Sequence, residues 1–100
     1  MYFTYPVKSF HQPSMAFFFV YVLESQKDGR FYTGYTQDVK RRFDEHTNGK
    51  VISTKSRLPL KLVYYEACRD KGDALHREQY LKSYHGKMFL WNRLKSYLTG

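Results

Sequence analysis

The chain has 100 residues, 17 Lys plus Arg against 9 Asp plus Glu, and a formal net charge of +8. That length holds one domain with one small core, and 42% hydrophobic with 19% aromatic residues excludes wholesale disorder, because enough apolar surface exists to offset chain entropy. The one cysteine, Cys68, excludes an internal disulfide framework, and with no C-x-x-C and no paired spacing among His11, His46, His76 and His85 no zinc site is readable.

The lone thiol fits a reducing cytoplasm, which is the expected compartment. The basic excess points to an anionic partner, nucleic acid first and an anionic membrane surface second. Residues 1–14 contain Pro6, Pro13 and no period, and read as an extended or disordered N-terminal arm, with Met15 a candidate natural start and the domain over 15–98. The apolar run from Met15 to Leu23 is nine residues, against about 20 for a membrane helix. Lys8 precedes it as in a signal peptide, but Glu24 follows directly and no small-x-small cleavage site appears.

Phe17 to Glu24 is therefore read as a first strand, and Phe31 to Thr36 as a second, joined by a two-residue Asp28-Gly29 turn. That turn pairs Lys27 with Arg30, Ser25 with Tyr32, Leu23 with Gly34 and Tyr21 with Thr36. Tyr21 and Tyr32 then share a face, with open space over Gly34; a register two residues tighter would bring the phenols closer. Asp38 caps a helix with Val39, Phe43 and His46 inward, and Asn48-Gly49 stops it. Lys50 to Pro59 reads as a polar, basic loop, and Leu60 to Cys68 as a third strand. Asp73 is the expected cap of a second helix from Ala74 to about Tyr84, with Ala74, Leu75, Glu78 and Leu81 on one face. Gly86 is expected to break the chain before a third helix, Met88 to Leu98, with Leu90, Leu94 and Leu98 inward. The order is α+β: β-β-α-β-α-α.

Glu78 breaks the apolar pattern of its helix, where an unpaired carboxylate is costly. Either it sits at an edge or pairs with a cation such as Arg42, or it is a metal ligand. Arg42 and His46 stand four apart and share one side of the first helix. A lone Arg, His or buried strand Tyr is ordinarily structural. Two phenols, a guanidinium, an imidazole and one carboxylate together suit phosphodiester hydrolysis, which needs a deprotonated water, charge stabilisation on phosphate oxygens and help for the leaving oxygen. One carboxylate suffices for Mg²⁺ when phosphate and water complete the octahedron, whereas a two-metal site needs several clustered acids.

Phe19-Val20-Tyr21, followed eleven residues later by Tyr32-Thr33-Gly34, resembles the paired motif of the GIY-YIG nuclease superfamily. The resemblance runs through Tyr35-Thr36, Asp38-Val39, Arg41-Arg42, His46, Asn48-Gly49, Leu62-Val63-Tyr64-Tyr65-Glu66, Asp73-Ala74-Leu75 and Arg77-Glu78, over about residues 17–95, as in its short stand-alone bacterial members. It implies a small GIY-YIG-like domain, a three-stranded antiparallel sheet flanked by helices, as in the amino-terminal incision domain of the excinuclease C subunit. By that likeness Tyr21 is the general base assisted by Tyr32, Arg42 stabilises the pentacovalent phosphate, His46 orients or relays protons, and Glu78 ligates one Mg²⁺ or Mn²⁺. Phe19 replaces the first motif's glycine and Thr33 a branched aliphatic, both at packing positions. Asn92, fourteen residues beyond Glu78, is the candidate for the Asn many members carry after the metal-binding helix.

The expectation is thus a metal-dependent DNA endonuclease, structure-selective or weakly sequence-specific, acting on branched, flapped or duplex DNA, with repair or recombination proteins as further candidate partners. No membrane and no small-molecule cofactor is called for. Lys40, Arg41, Lys50, Lys55, Arg57, Lys82, Lys87, Arg93 and Lys95 are the candidate phosphate contacts. Tyr84 and Trp91 are candidates to stack on unpaired bases, with core packing the preferred reading of Trp91. The alternative is a catalytically inactive nucleic-acid-binding module on the same fold; a membrane-surface or protein adaptor is a third reading.

Overall fold

The computed structural model describes residues 16–100, so the expectations for the arm over 1–14 and for Met15 lie outside the described residues. Strands β1 (Phe18–Ser25) and β2 (Phe31–Thr36) are followed by helix α1 (Val39–Thr47), a short helix α2 (Ile52–Lys55) and strand β3 (Leu60–Cys68). Helices α3 (Lys71–Lys82), α4 (Tyr84–Arg93) and α5 (Lys95–Thr99) complete the described chain. The sheet is antiparallel in the order β2-β1-β3, so the α+β arrangement expected from the sequence is the one observed, with α2 and α5 as short additions.

Because β1 is the central strand, it is buried on both faces and reads as an unbroken apolar run instead of an alternating one. Val20 and Val22 pack with Ala74 and Leu81 of α3 and Leu90 of α4. Tyr21 and Leu23 point the other way, with Leu60, and are covered by Tyr32, Phe43, Leu58 and Leu62.

The β1–β2 register differs from the expected one. Tyr21 lies opposite Gly34, Leu23 opposite Tyr32 and Phe19 opposite Thr36, two residues tighter than an Asp28-Gly29 two-residue turn requires. The loop is wider because side chains capture its backbone: Ser25 Oγ accepts from the Lys27 amide at 3.1 Å and Asp28 Oδ1 from the Arg30 amide at 3.0 Å. The strands close only where the Ser25 amide meets the Arg30 carbonyl at 2.9 Å, and Gly29 supplies the positive φ of +74°.

A bulge between Val22 and Leu23 on the β1–β3 ladder changes the phase of β3. Val22 pairs with Tyr64 and Leu23 with Leu62, leaving Val63 as the extra residue. Leu60 and Leu62 therefore face α1, while Tyr64 and Cys68 face α3 and α4, although simple alternation puts all four on one side.

Asp38 caps α1 by accepting from the Arg41 amide at 3.0 Å, and Asn48 ends it, as the pattern predicts. Four helical expectations are corrected. Asp70, not Asp73, caps α3, accepting from the Asp73 amide at 3.0 Å, and Asp73 instead places its charge in the positive first turn. The segment from Lys50 to Pro59 contains α2. Gly86 does not break the chain: it is buried inside α4, and a Cβ there would strike the Tyr80 carbonyl and Leu81 Cα of α3. Its missing side chain lets two helices meet at a one-residue corner, Ser83, which both ends α3 and caps α4 by accepting from the Gly86 amide at 3.2 Å. The expected helix from Met88 to Leu98 is split at Leu94 between α4 and α5.

Candidate active site

Tyr21 leaves the middle of β1 toward α1 and is buried. Its hydroxyl lies 2.9 Å from His46 Nε2, and the rings meet edge to face with centroids 5.7 Å apart. His46 stands in the last turn of α1, only 4% exposed, with Nδ1 2.7 Å from the hydroxyl of Thr54 on α2. Arg42, one turn earlier, donates from Nε to the Tyr21 hydroxyl at 3.4 Å and from Nη1 to Glu45 at 2.9 Å. The Glu45 carboxylate, and then the Tyr21 hydroxyl, hold the guanidinium above its ordinary value.

Burial first, and then the Arg42 charge, hold the His46 imidazole below its ordinary value, against a smaller opposing pull from Glu45. The ring is therefore neutral near pH 7 and carries one proton. With that proton on Nδ1 the ring donates to Thr54 and accepts from the Tyr21 hydroxyl; with it on Nε2 the ring donates to Tyr21 and accepts from Thr54. The Thr54–His46–Tyr21 chain can thus pass hydrogen-bond polarity in either direction through a water-poor interior.

These groups line a cleft of about 570 Å³. Tyr32, Gly34, Arg42 and Thr54 line it from the α1 side, while Glu78 and Lys82 of α3 and Lys87 of α4 line it from the other. Residues from both faces of β2 take part, Tyr32 and Gly34 on one and Phe31, Thr33 and Tyr35 on the other, so the cleft curls over the edge strand. Tyr21, Tyr32, Arg42, His46 and Glu78 are thereby brought to one cavity, with Lys82 and Lys87.

The Glu78 side chain is 14% exposed and pairs with Lys82 at 3.1 Å, not with Arg42. It is the one acid on the cleft wall, and among the described residues no group of three or more His, Cys, Asp or Glu is placed to hold a metal ion. A lone hard oxygen donor beside open cleft fits a divalent cation that takes its remaining ligands from phosphate and water, and does not fit a fully protein-caged one.

The network that seats α3 escaped the reading of individual residues. Arg77, next to Glu78, donates twice to Glu66 of β3 at 2.8 Å, and Tyr64 donates to the same carboxylate at 2.8 Å. The Arg77 guanidinium also lies over the Phe89 ring at 4.6 Å. Burial pushes the Glu66 carboxyl up, but the Arg77 and Tyr64 hydrogen bonds outweigh it and hold it below the usual range. A charged Glu66 in a strand and a charged Arg77 beside an apolar helix position were the signal; nothing in the spacing marked Thr54 or Glu45.

The remaining candidates lie apart from the cleft wall. Arg41, Lys50 and Lys55 are exposed, Lys40 pairs with Asp44 at 3.1 Å, and Arg57 with Asp28 at 3.2 Å. Asn92 is exposed on α4 and does not line the cleft.

Residues 17–95 match the family model of the GIY-YIG catalytic domain. The chain belongs to the GIY-YIG family. The domain points to a nuclease family, whose substrates are in general nucleic acids and whose members are generally dependent on a divalent metal. A UPF0213 protein of Streptococcus agalactiae is 49% identical over 65 residues, 64% of this chain and 73% of the relative. A UPF0213 protein of Staphylococcus epidermidis is 46% identical over 67 residues, 66% of this chain and 80% of that one. The solution NMR structure of a UPF0213 protein from Bacillus halodurans is 39% identical, with a TM-score of 0.49, over 76% of this chain and 83% of that one. Among the described residues of this GIY-YIG chain no helix is long and apolar enough to cross a membrane.

Proposed function

We propose that this GIY-YIG domain is a divalent-metal-dependent DNA endonuclease that hydrolyses phosphodiester bonds with one metal ion, selecting structure more than sequence. The observation that carries this reading is the cleft over the β2 edge, where Tyr21, Arg42, His46 and Glu78 open onto one space. Tyr21 takes the proton of the attacking water as its own hydroxyl proton shifts toward His46 Nε2, 2.9 Å away. Thr54 fixes the ring for that transfer. Tyr32, on the same face two pairs along the ladder, orients the water. The water oxygen bonds to phosphorus, the P–O bond to the leaving sugar oxygen breaks, and that oxygen takes a proton from solvent water. With Nη1 on Glu45 and Nε on Tyr21, the Nη2 edge of Arg42 is the donor for a phosphate oxygen, stabilising charge that grows in the transition state. Glu78 would hold the metal ion, which supplies Lewis-acid stabilisation of the phosphoryl oxygens when bound. Lys82 and Lys87 position the strand without reading its sequence.

The test compares cleavage of flapped, branched and duplex DNA in Mg²⁺ or Mn²⁺ by the wild type and Glu78→Gln, with binding measured alongside. The reading expects cutting by the wild type, and a variant that binds but does not cut. EDTA should stop cutting and leave thermal stability unchanged, since among the described residues no group of three or more His, Cys, Asp or Glu forms a metal cage. A wild type that binds all three substrates and cuts none would establish the binding-module alternative instead.

A further inference from the structure

Beside the cleft lies a second hollow of about 420 Å³, lined by Gly29, Arg30, Phe31, Lys87, Trp91 and Leu98. Phe31 and Lys87 line both cavities, so the hollow continues the cleft past the start of β2. Trp91 is 49% exposed, which corrects the expectation that it packs in the core: Leu90 fills the buried position of α4 and Phe89 is its half-buried neighbour. Tyr84, the other stacking candidate, lines neither cavity.

The chemistry of the hollow is an indole and a phenyl ring between two cations. No acid lines it. Two carboxylates belong to neighbouring residues: Glu24, across the ladder from Phe31, accepts from the Tyr97 hydroxyl at 2.7 Å, and Asp28, beside Gly29, pairs with Arg57. Alternating aromatic faces and cations is how proteins hold single strands, because every base offers a π-face and every linkage a negative charge. A continuous duplex keeps its bases stacked inside and offers none to an indole on the protein surface.

We propose that this hollow is an unpaired-nucleobase subsite: Trp91 stacks on a base of the substrate strand while Arg30 and Lys87 hold the adjoining phosphates. The strand then runs from the hollow into the cleft, so the favoured substrate carries unpaired nucleotides next to the scissile bond. This rests on the nuclease reading for the role of the cleft, and on the hollow's own geometry for the stack.

Trp91 is the single tryptophan of the chain, so its fluorescence reports the stack directly. The full chain is titrated in EDTA with a ten-nucleotide thymidine strand, the same strand with abasic residues, a blunt duplex and a uridine strand. Quenching by the thymidine strand, and its loss with the abasic strand, is the expected result; neither backbone charge nor non-specific binding produces that pair. Equal quenching by the uridine strand would show that the subsite accepts either sugar. Trp91→Leu should weaken single-strand binding by roughly 5- to 150-fold, the worth of one base stack, while duplex binding stays unchanged and Trp91→Phe retains most of the affinity. Absence of quenching by the thymidine strand, or equal weakening of duplex binding in Trp91→Leu, overturns the proposal. Quenching without cleavage of any DNA would keep the subsite and remove the nuclease; cleavage of flapped and duplex DNA at equal rates, unaltered in Trp91→Leu, would do the reverse.

Discussion

The phenol ring of Tyr21 lies against the bare Cα of Gly34, its partner across the β1–β2 ladder. A Cβ on Gly34 would stand 2.5 Å from the Tyr21 Cζ and 2.9 Å from Cε1, closer than atoms tolerate, and would strike the hydroxyl oxygen as well. The ring cannot retreat freely, because its hydroxyl is held between His46 and Arg42. The glycine of the second motif is therefore a seat for the tyrosine of the first.

Gly34→Ala should displace the Tyr21 hydroxyl while leaving the strand paired. A shift of about 1 Å at a reacting group can cost roughly 10²-fold in rate, and overpacking about 1–3 kcal/mol in stability. Cleavage rates and denaturant unfolding of the variant check this together. A folded variant that cuts at the wild-type rate would show that the tyrosine does not act from this position.

Thr54→Val keeps the shape of the side chain and removes the hydroxyl that meets His46 Nδ1 at 2.7 Å. The buried ring nitrogen then lacks a partner, which costs about 1–3 kcal/mol. The rate should fall by about tenfold or more, because the ring loses the contact that holds its Nε2 toward Tyr21, and Thr54→Ser should restore both. Imidazole nitrogen shifts by NMR read the tautomer independently of turnover.

Stability should also carry the signature of His46. Its folded value is depressed, so below its ordinary value near 6.5 the unfolded chain binds a proton that the folded chain does not. Stability is then fully present above about pH 6.5 and falls as pH drops toward the folded value. Glu66, also depressed, loses its contribution only lower down, below its ordinary value near 4.5. Urea midpoints measured from pH 8 to pH 5 should slope downward on the acid side, and His46→Gln should flatten that slope. An unchanged slope would assign it to another group.

The Glu66–Arg77 pair holds the helix that carries Glu78 against the strand β3. Arg77→Met should cost about 1–3 kcal/mol, since it leaves a half-buried carboxylate with Tyr64 alone, and should lower the melting temperature by several degrees. Glu66→Gln, which keeps one acceptor for the guanidinium, should cost less. A double-mutant cycle measures the pair itself, and a coupling near zero would mean that Phe89 packing, not charge, seats α3.

Local chemistry explains what the chain alone made legible. The bounds of β3 and the cap of α1 at Asp38 follow from residues within one turn or strand of each other. So do the shared face of Tyr21 and Tyr32 and the shared side of Arg42 and His46, because periods of 2 and 3.6 decide faces without reference to the rest of the fold. The ordered motifs from Phe19 to Glu78 then carried the family.

Distances between faces were decided only by the tertiary structure. Ser25 and Asp28 widen the hairpin loop by binding its amides, and this moves Tyr21 from opposite Thr36 to opposite Gly34. The bulge at Val63 turns Tyr64 and Glu66 toward α3, and Gly86 folds α4 back on Tyr80 and Leu81. Thr54 meets His46 because a polar segment forms one turn of helix over the ring. Some of these partners are near in sequence and others far, but in each case packing or a polar group that needs a partner outweighs the plain period of strand or helix. Composition alone suggested an anionic partner; only the folded chain put a half-exposed Trp91, Arg30 and Lys87 around one hollow beside the tyrosine, histidine and carboxylate of the cleft.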